Sequence, residues 1–213
     1  MHLIHRGIVN KKYQENLLKS FKLAFKKGYG VETDIHSTKD HKFVCYHDFT
    51  LNRIFKKKQS IKNLTYQKLK EISHGNKKPI PLLNELLKAS KNQHFLFIEI
   101  KPNFSPELLR KLVKETSKYS KCVFISFKHQ NILNLLKINK KIKVGLSFSP
   151  PASVKSIIMK SKIKNINYLI LDKFYLKNKK IQTIKIQKYF YTIKKKSEFN
   201  KYKMKNNLIF ENL

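Results

Sequence analysis

Short apolar runs rich in β-branched and aromatic residues recur along the chain, at Leu3–His5, Val31–Ile35, Phe43–Tyr46, Phe95–Ile100, Val123–Phe127, Ile142–Leu146, Tyr168–Leu171, Tyr189–Ile193 and Leu208–Phe210. Each has the length and composition of a strand. Between them, apolar residues return at helical spacing in Leu17-Leu18-Phe21-Ala24-Phe25, in Leu82-Leu83-Leu86-Leu87 and in Leu108-Leu109-Leu112-Val113. Ser105, followed by Pro106 and Glu107, has the capping residue and first-position proline of a helix start. Strands alternating with helices predict βαβ units and a parallel sheet.

Nine candidate strands are one too many for an eight-stranded barrel. The surplus lies between Ile35 and Phe43, which are separated by only seven residues. A parallel crossover needs roughly 10–12 residues or more. These two strands must therefore form a hairpin, with Lys39-Asp40-His41-Lys42 as its turn. The predicted fold is an α/β, TIM-type (β/α)8 barrel with an added β-hairpin and a short insertion at the catalytic face. It occupies residues 1–213 as a single domain, with about 54–79 as the insertion. Lys56–Lys78 is the most polar stretch and reads as irregular, either a lid or a solvated loop.

The charge balance is extreme, with 47 Lys and Arg against 13 acids and a net charge of +34. Only Arg6, Arg53 and Arg110 are arginines. The lysines are spread along the whole chain beside abundant Ile and Asn, as an A/T-rich coding sequence would place them at tolerant surface positions. Readers of nucleic acid favour the planar fork of arginine, so no nucleic-acid partner is expected. Such a surface still attracts small anions. Cys45 and Cys122 lie in apolar runs without a pairing motif and read as core residues in a reducing compartment. No apolar run approaches the roughly 20 residues of a membrane span. Met1-His2-Leu3-Ile4 leads straight into His5-Arg6-Gly7, so no cleavable leader is expected, and the chain reads as cytoplasmic.

The candidate chemistry lies at strand ends. Glu32 and Asp34 stand at i and i+2 of one strand and face the same side, which would otherwise be core. Glu99 interrupts a second apolar strand, with Lys101 on the same face. A lone buried acid is most simply a satisfied salt bridge. Three carboxylates inside one barrel repel unless a cation joins them. An all-oxygen set without cysteine suits Mg²⁺ or Ca²⁺ better than Zn²⁺. His5 closes the first strand and His47 follows the hairpin's return strand, which makes them candidates for a general acid/base pair. Arg6 and Lys101 would hold phosphate oxygens. The other six histidines (His2, His36, His41, His74, His94 and His129) read as surface.

In this order and spacing, His5-Arg6-Gly7, Glu15-Asn16, Glu32-Thr33-Asp34, Ser37-Thr38-Lys39-Asp40, His47-Asp48 and Thr50-Leu51-Asn52-Arg53 resemble the glycerophosphodiester phosphodiesterase family. Ile80–Leu87, Ile98-Glu99-Ile100-Lys101-Pro102, Ser126-Phe127, Gly145-Leu146 and Tyr191-Thr192-Ile193 extend the resemblance over nearly the whole chain. The resemblance implies metal-dependent hydrolysis of small glycerophosphodiesters to glycerol 3-phosphate and an alcohol. It places His5 and His47 as catalytic residues, Glu32, Asp34 and Glu99 as metal ligands, and Arg6 and Lys101 on the substrate phosphate. Glu15 falls in a motif that shapes the site, and Tyr191 is a supporting aromatic at the mouth. The chain departs from the family pattern at Gln14 and Leu17, at Tyr191 where many relatives have tryptophan, and at Phe210-Glu211-Asn212 where many have Thr-Asp. Glu211 would be an extra acid on the same face. A related barrel acting on lysophospholipids or phosphoinositides is the alternative enzyme, and no long apolar loop stands at a strand end to insert into lipid. A basic nucleic-acid-binding or scaffold protein is the alternative non-enzyme.

Overall fold

The structure is a computed structural model that describes residues 1–11 and 13–211, so the departure at Asn212 lies outside the described residues. The strands are β1 (Leu3–His5), β2 (Gly30–Ser37), β3 (Phe43–Cys45), β4 (Leu96–Ile100), β5 (Cys122–Ser126), β6 (Val144–Phe148), β7 (Tyr168–Asp172), β8 (Gln187–Ile193) and β9 (Asn207–Phe210). β6 starts two residues later than the apolar run suggested, because Ile142 closes the preceding turn with its N–H on the Asn139 carbonyl. The helices are α1 (Leu18–Lys26), α2 (Asn52–Phe55), α3 (Tyr66–Gly75), α4 (Leu83–Ser90), α5 (Pro106–Thr116), α6 (His129–Ile138), α7 (Val154–Ser161), α8 (Lys179–Gln182) and α9 (Lys196–Tyr202). Ser105 caps α5 by accepting from the Leu108 N–H, with Pro106 in its first turn.

Neighbouring strands run parallel in the order β1, β9, β8, β7, β6, β5, β4, β2, and β1 pairs again with β2, which closes the barrel. β3 pairs antiparallel to β2, with Ile35 opposite Cys45 and Ser37 opposite Phe43, and Val44 bridges to Leu82 on its other side. This is the hairpin that the seven-residue spacing requires.

The period-2 alternation of each strand separates two cores. Outward residues such as Ile4, Val31, Ile98, Phe124, Leu146, Leu171 and Phe190 pack under the helices. Inward residues fill the barrel with Leu3, Phe97, Val123, Ile125, Ile170, Tyr189 and Ile209. Phe97 sets the floor, with its ring 4.6 Å from Tyr189 and 5.2 Å from Tyr168. Further along the same inward rows the residues turn charged: Leu3 gives way to His5, Phe97 to Glu99 and Lys101, and Ile209 to Glu211. The apolar floor thus carries a polar upper layer at the C-terminal strand ends.

Lys56–Lys78, expected to be irregular, holds a 3₁₀ turn at Ile61–Asn63 and the helix α3. Its scattered apolar residues Ile61, Leu64 and Leu69 join Val44, Tyr46, Leu51, Phe55 and Ile80 in a separate small core. The Tyr66 N–H donates to Asp40 Oδ1 at 2.9 Å and the Lys39 N–H to the Leu64 carbonyl at 2.8 Å, which tie this segment to the hairpin turn.

Gly30 sits where β1, β2 and the start of β4 meet. A Cβ there would lie 2.5 Å from the Phe95 carbonyl oxygen and 2.8 Å from Leu3 Cδ2. Gly30→Ala is expected to cost about 1–3 kcal/mol by overpacking, read as a lower urea midpoint at unchanged slope. An unchanged midpoint would show that this corner of the barrel can open.

Candidate active site

The first turn after β1 is built for close approach. Arg6 and Gly7 adopt left-handed φ values of 55° and 77°. A Cβ on Gly7 would come within 2.8 Å of the Ser20 backbone, so only glycine lets the chain pass α1. The turn directs Arg6 back over the barrel, where its Nε lies 2.9 Å from Asp34 Oδ2.

Glu32 and Asp34 on β2 and Glu99 on β4 all point inward and are buried. In-register pairing of Asp34 with Glu99 brings the two strands' acids side by side. Ligand oxygens of the three carboxylates lie within 4.8 Å of one another. Lys101 Nζ reaches Glu99 Oε1 at 2.9 Å and Asp34 Oδ1 at 3.4 Å. Asn16 donates to Asp34 Oδ2 at 3.1 Å and accepts from the Thr33 hydroxyl at 2.8 Å.

Three carboxylates therefore face two cations, Arg6 and Lys101. Burial, reinforced by Asp34 and Glu99, pushes the Glu32 carboxyl well above the usual carboxylate range. Burial and the Asp34 charge lift Glu99 to about 7. Burial also acts to raise Asp34, but Arg6 and Lys101 outweigh it and hold Asp34 below its ordinary value. Glu32 Oε2 and Asp34 Oδ1 are buried without a hydrogen bond. Clustered oxygens, an excess of negative charge and two unsatisfied buried acceptors fit a divalent cation bound by Glu32, Asp34 and Glu99.

Both histidines flank this cluster, and both are backed by a carboxylate. His5 Nδ1 lies 2.8 Å from Glu211 Oε2, and His5 Nε2 lies 3.7 Å from Glu32 Oε2. Glu211 is held down to about 2 by the His5 hydrogen bond, with help from Lys194, whose Nζ lies 2.7 Å from Oε1. His47 Nδ1 lies 2.6 Å from Asp48 Oδ1. With the proton on Nδ1, each ring donates to its acid and keeps Nε2 for other work. Burial lowers the His47 pKa, partly offset by the Asp34 charge.

A chain of charges joins the two halves. Arg53 Nε donates to Asp48 Oδ2 at 2.6 Å and Arg53 Nη2 to Glu15 Oε1 at 2.5 Å. Arg6 Nη1 completes the link to the same Glu15 oxygen at 3.3 Å. Glu15 thus bridges the arginine beside the acid cluster to the arginine behind His47. Asn16, Asp48 and Arg53, which lie in the matched motifs without an assigned role, are part of this framework.

His5, Arg6, Glu32, His47, Glu99, Lys101 and Tyr191 line one cavity of about 200 Å³. Its lining also includes the apolar Ile125, Ile170 and Ile209 of the barrel interior and Phe127 just after β5. The Tyr191 hydroxyl donates to the Phe148 carbonyl at 2.9 Å, and its ring stands edge-on to Phe127 at 6.0 Å. Asp34 lies beneath the cavity, held by Arg6, Lys101 and Asn16.

Of the six histidines expected at the surface, His36 is buried and His2, His94 and His129 are half-buried, while His41 and His74 are exposed. His36 is buried on β2 with its ring edge-on to Phe49 at 5.0 Å, has its pKa lowered by burial to about 4, and donates Nε2–H to the His47 carbonyl at 3.1 Å. It stands two residues after Asp34 on the inward row, where His47 and Phe49, just beyond the hairpin, pack against it. His129 is half-buried, donating to the Ser147 carbonyl at 2.9 Å and accepting from Lys160 at 2.9 Å.

Residues 5–204 match the sequence profile of the Glycerophosphoryl diester phosphodiesterase family. A glycerophosphodiester phosphodiesterase from Caldanaerobacter subterraneus subsp. tengcongensis is 30% identical over 160 residues, covering 68% of this chain and 65% of the relative. The chain therefore spans just under two thirds of that relative's length. The crystal structure of a Thermotoga maritima glycerophosphodiester phosphodiesterase superposes with a TM-score of 0.82 at 24% identity, covering 98% of this chain and 92% of that one. An Oleispira antarctica phosphodiesterase in complex with the product sn-glycerol 3-phosphate gives 0.84 at 21%, covering 98% and 91%. At these identities the two structures speak for the shared barrel fold.

The lifted Glu99 yields a pH signature. Its folded pKa of about 7 exceeds the ordinary 4.5, so between these values the folded state retains a proton that the unfolded chain releases. Its contribution to stability falls as pH rises through that window. In chelator-treated protein, Glu99→Gln should gain on the parent by on the order of 2–3 kcal/mol between pH 4.5 and 7. Urea unfolding at both pH values measures it, and a pH-independent difference would contradict the crowded-carboxylate picture.

Proposed function

The chain belongs to the glycerophosphoryl diester phosphodiesterase family, and from that premise we propose that it hydrolyses glycerophosphodiesters such as glycerophosphocholine or glycerophosphoethanolamine to glycerol 3-phosphate and an alcohol. The observation that carries this reading is one cavity lined by Glu32, Glu99, Arg6, Lys101 and two carboxylate-backed histidines, with Asp34 directly beneath. A Mg²⁺ or Ca²⁺ ion held by Glu32, Asp34 and Glu99 would supply Lewis-acid stabilisation of the phosphoryl group.

Arg6 and Lys101 line the cavity from the cluster side and hold the non-bridging phosphate oxygens. One histidine takes the proton of the attacking oxygen at Nε2, and the other delivers a proton to the leaving alkoxide. Glu211 and Asp48 fix the ring orientation and stabilise each ring when it is protonated. Glu15 sets Arg6 and Arg53 relative to each other. Tyr191 and Phe127 form the wall that the alcohol group meets.

Residues 1–213 are read as a single barrel domain with about 54–79 as a small insertion, supported by closure of β9 onto β1 and by the separate small core of the insertion. No helix among the described residues is long and apolar enough to cross a membrane. The cytoplasmic reading is supported by the free, buried thiols of Cys45 and Cys122.

Metal-stripped protein should release glycerol 3-phosphate from glycerophosphocholine when Mg²⁺ or Ca²⁺ is restored, with a bell-shaped pH profile. His5→Ala and His47→Ala should each lower kcat by about 10²–10⁴-fold with folding intact. Folded protein that releases nothing with either metal, or near-parental turnover in either variant, would overturn the reading.

A further inference from the structure

Large aromatic side chains in this chain are buried or half-buried, with three exceptions. Phe49, Phe127 and Phe174 are 53%, 38% and 72% exposed. All three stand on the catalytic face. Phe127 directly follows β5, Phe174 lies two residues beyond β7, and Phe49 lies two residues beyond His47. In the closed strand order these positions are spread around the mouth, at the hairpin, at β5 and at β7. Isolated exposed apolar residues need no explanation, but three exposed phenylalanines in the segments after the C-terminal strand ends, one of them lining the cavity, do.

Charge alone selects no face, since lysines cover the whole surface. The rim nevertheless has a clear sign. Most of its acids are engaged by cations: Glu15 and Asp48 with Arg53, Glu211 with His5 and Lys194, and Glu198 with Lys173, while Asp172 at the end of β7 accepts from the Phe174 N–H at 2.8 Å. Exposed Lys57, Lys58, Lys128, Lys195 and Lys196 lie in the segments that surround the same mouth. Aromatic side chains that enter a headgroup layer, with lysines beside them to meet lipid phosphates, are the features of an interfacial surface. A bare basic patch offers only the second.

We infer that the catalytic rim is a docking surface for an anionic lipid bilayer, in which Phe49, Phe127 and Phe174 enter the headgroup region while the rim lysines pair with lipid phosphates. The cavity then opens onto the membrane, with Phe127 at its mouth and the buried Ile125, Ile170 and Ile209 at its base. Which substrate is reached there rests on the hydrolase reading above; the docking itself does not. The insertion is made by single residues at strand ends, which is why no long apolar loop marks it in the sequence.

The chain contains no tryptophan, so Phe174→Trp provides a single fluorescent reporter on the rim. Its emission should shift to the blue with vesicles containing roughly one third phosphatidylserine, and not with pure phosphatidylcholine vesicles. Phe49→Ser combined with Phe174→Ser should weaken co-sedimentation with the anionic vesicles by about tenfold and leave turnover of soluble glycerophosphocholine unchanged. Binding without a blue shift, equal binding of the double variant, or no binding by the parent chain would each overturn the inference. Vesicle binding by a parent chain that fails to hydrolyse glycerophosphocholine would sink the hydrolase reading and leave the docking surface standing.

Discussion

Glu32, Asp34 and Glu99 bring three buried carboxylates within 4.8 Å of one another at the base of the cavity. Inside a protein such crowding costs several kcal/mol per uncompensated charge, and the surroundings are arranged to offset it. Arg6 and Lys101 lean on Asp34 and Glu99 from opposite sides. The remaining excess is visible in Glu32 and Glu99, whose carboxyls are held above their usual range. A dication would reverse the sign of the cluster, and a phosphodiester monoanion would then restore neutrality. The same charge imbalance thus favours a divalent cation and, with a cation in place, an anion beside it.

The barrel makes this arrangement affordable. Glu32, Asp34 and Glu99 project from strands whose backbone positions are fixed by pairing on both sides, so the acids cannot move apart. The aromatic floor of Phe97, Tyr168 and Tyr189 seals the cluster from below. Outside it, the relay Arg6–Glu15–Arg53–Asp48 ties the β1 turn to His47, while Glu211 at the end of β9 steadies His5. Each histidine therefore takes its orientation from an element other than the one that carries the acids.

Much of this is legible in the residues alone, for definite reasons. The i, i+2 spacing of Glu32 and Asp34 fixes a shared face whatever the fold, and the seven residues between Ile35 and Phe43 permit only a hairpin. What escapes a linear reading depends on distant pairing. That β9 lies beside β1, and hence that Glu211 meets His5, follows only from barrel closure. His36 resembles a loop histidine until the hairpin folds over it. Lys56–Lys78 resembles solvated coil because its three buried aliphatics are isolated among lysines, and they find a core only against Val44, Tyr46 and Ile80. The Thr65 cap of α3, which accepts from the Lys68 N–H, was the local signal available there.

The most direct test of the central claim is calorimetric titration of the metal-free protein with Mg²⁺ or Ca²⁺ near pH 6.5, repeated in buffers of different ionisation enthalpy. A cation entering a site whose carboxyls hold protons above their usual range must displace them. Binding of one ion per chain with net proton release, lost in Glu32→Gln, is the predicted result. Absence of binding, or binding that releases no proton and survives Glu32→Gln, would contradict the account.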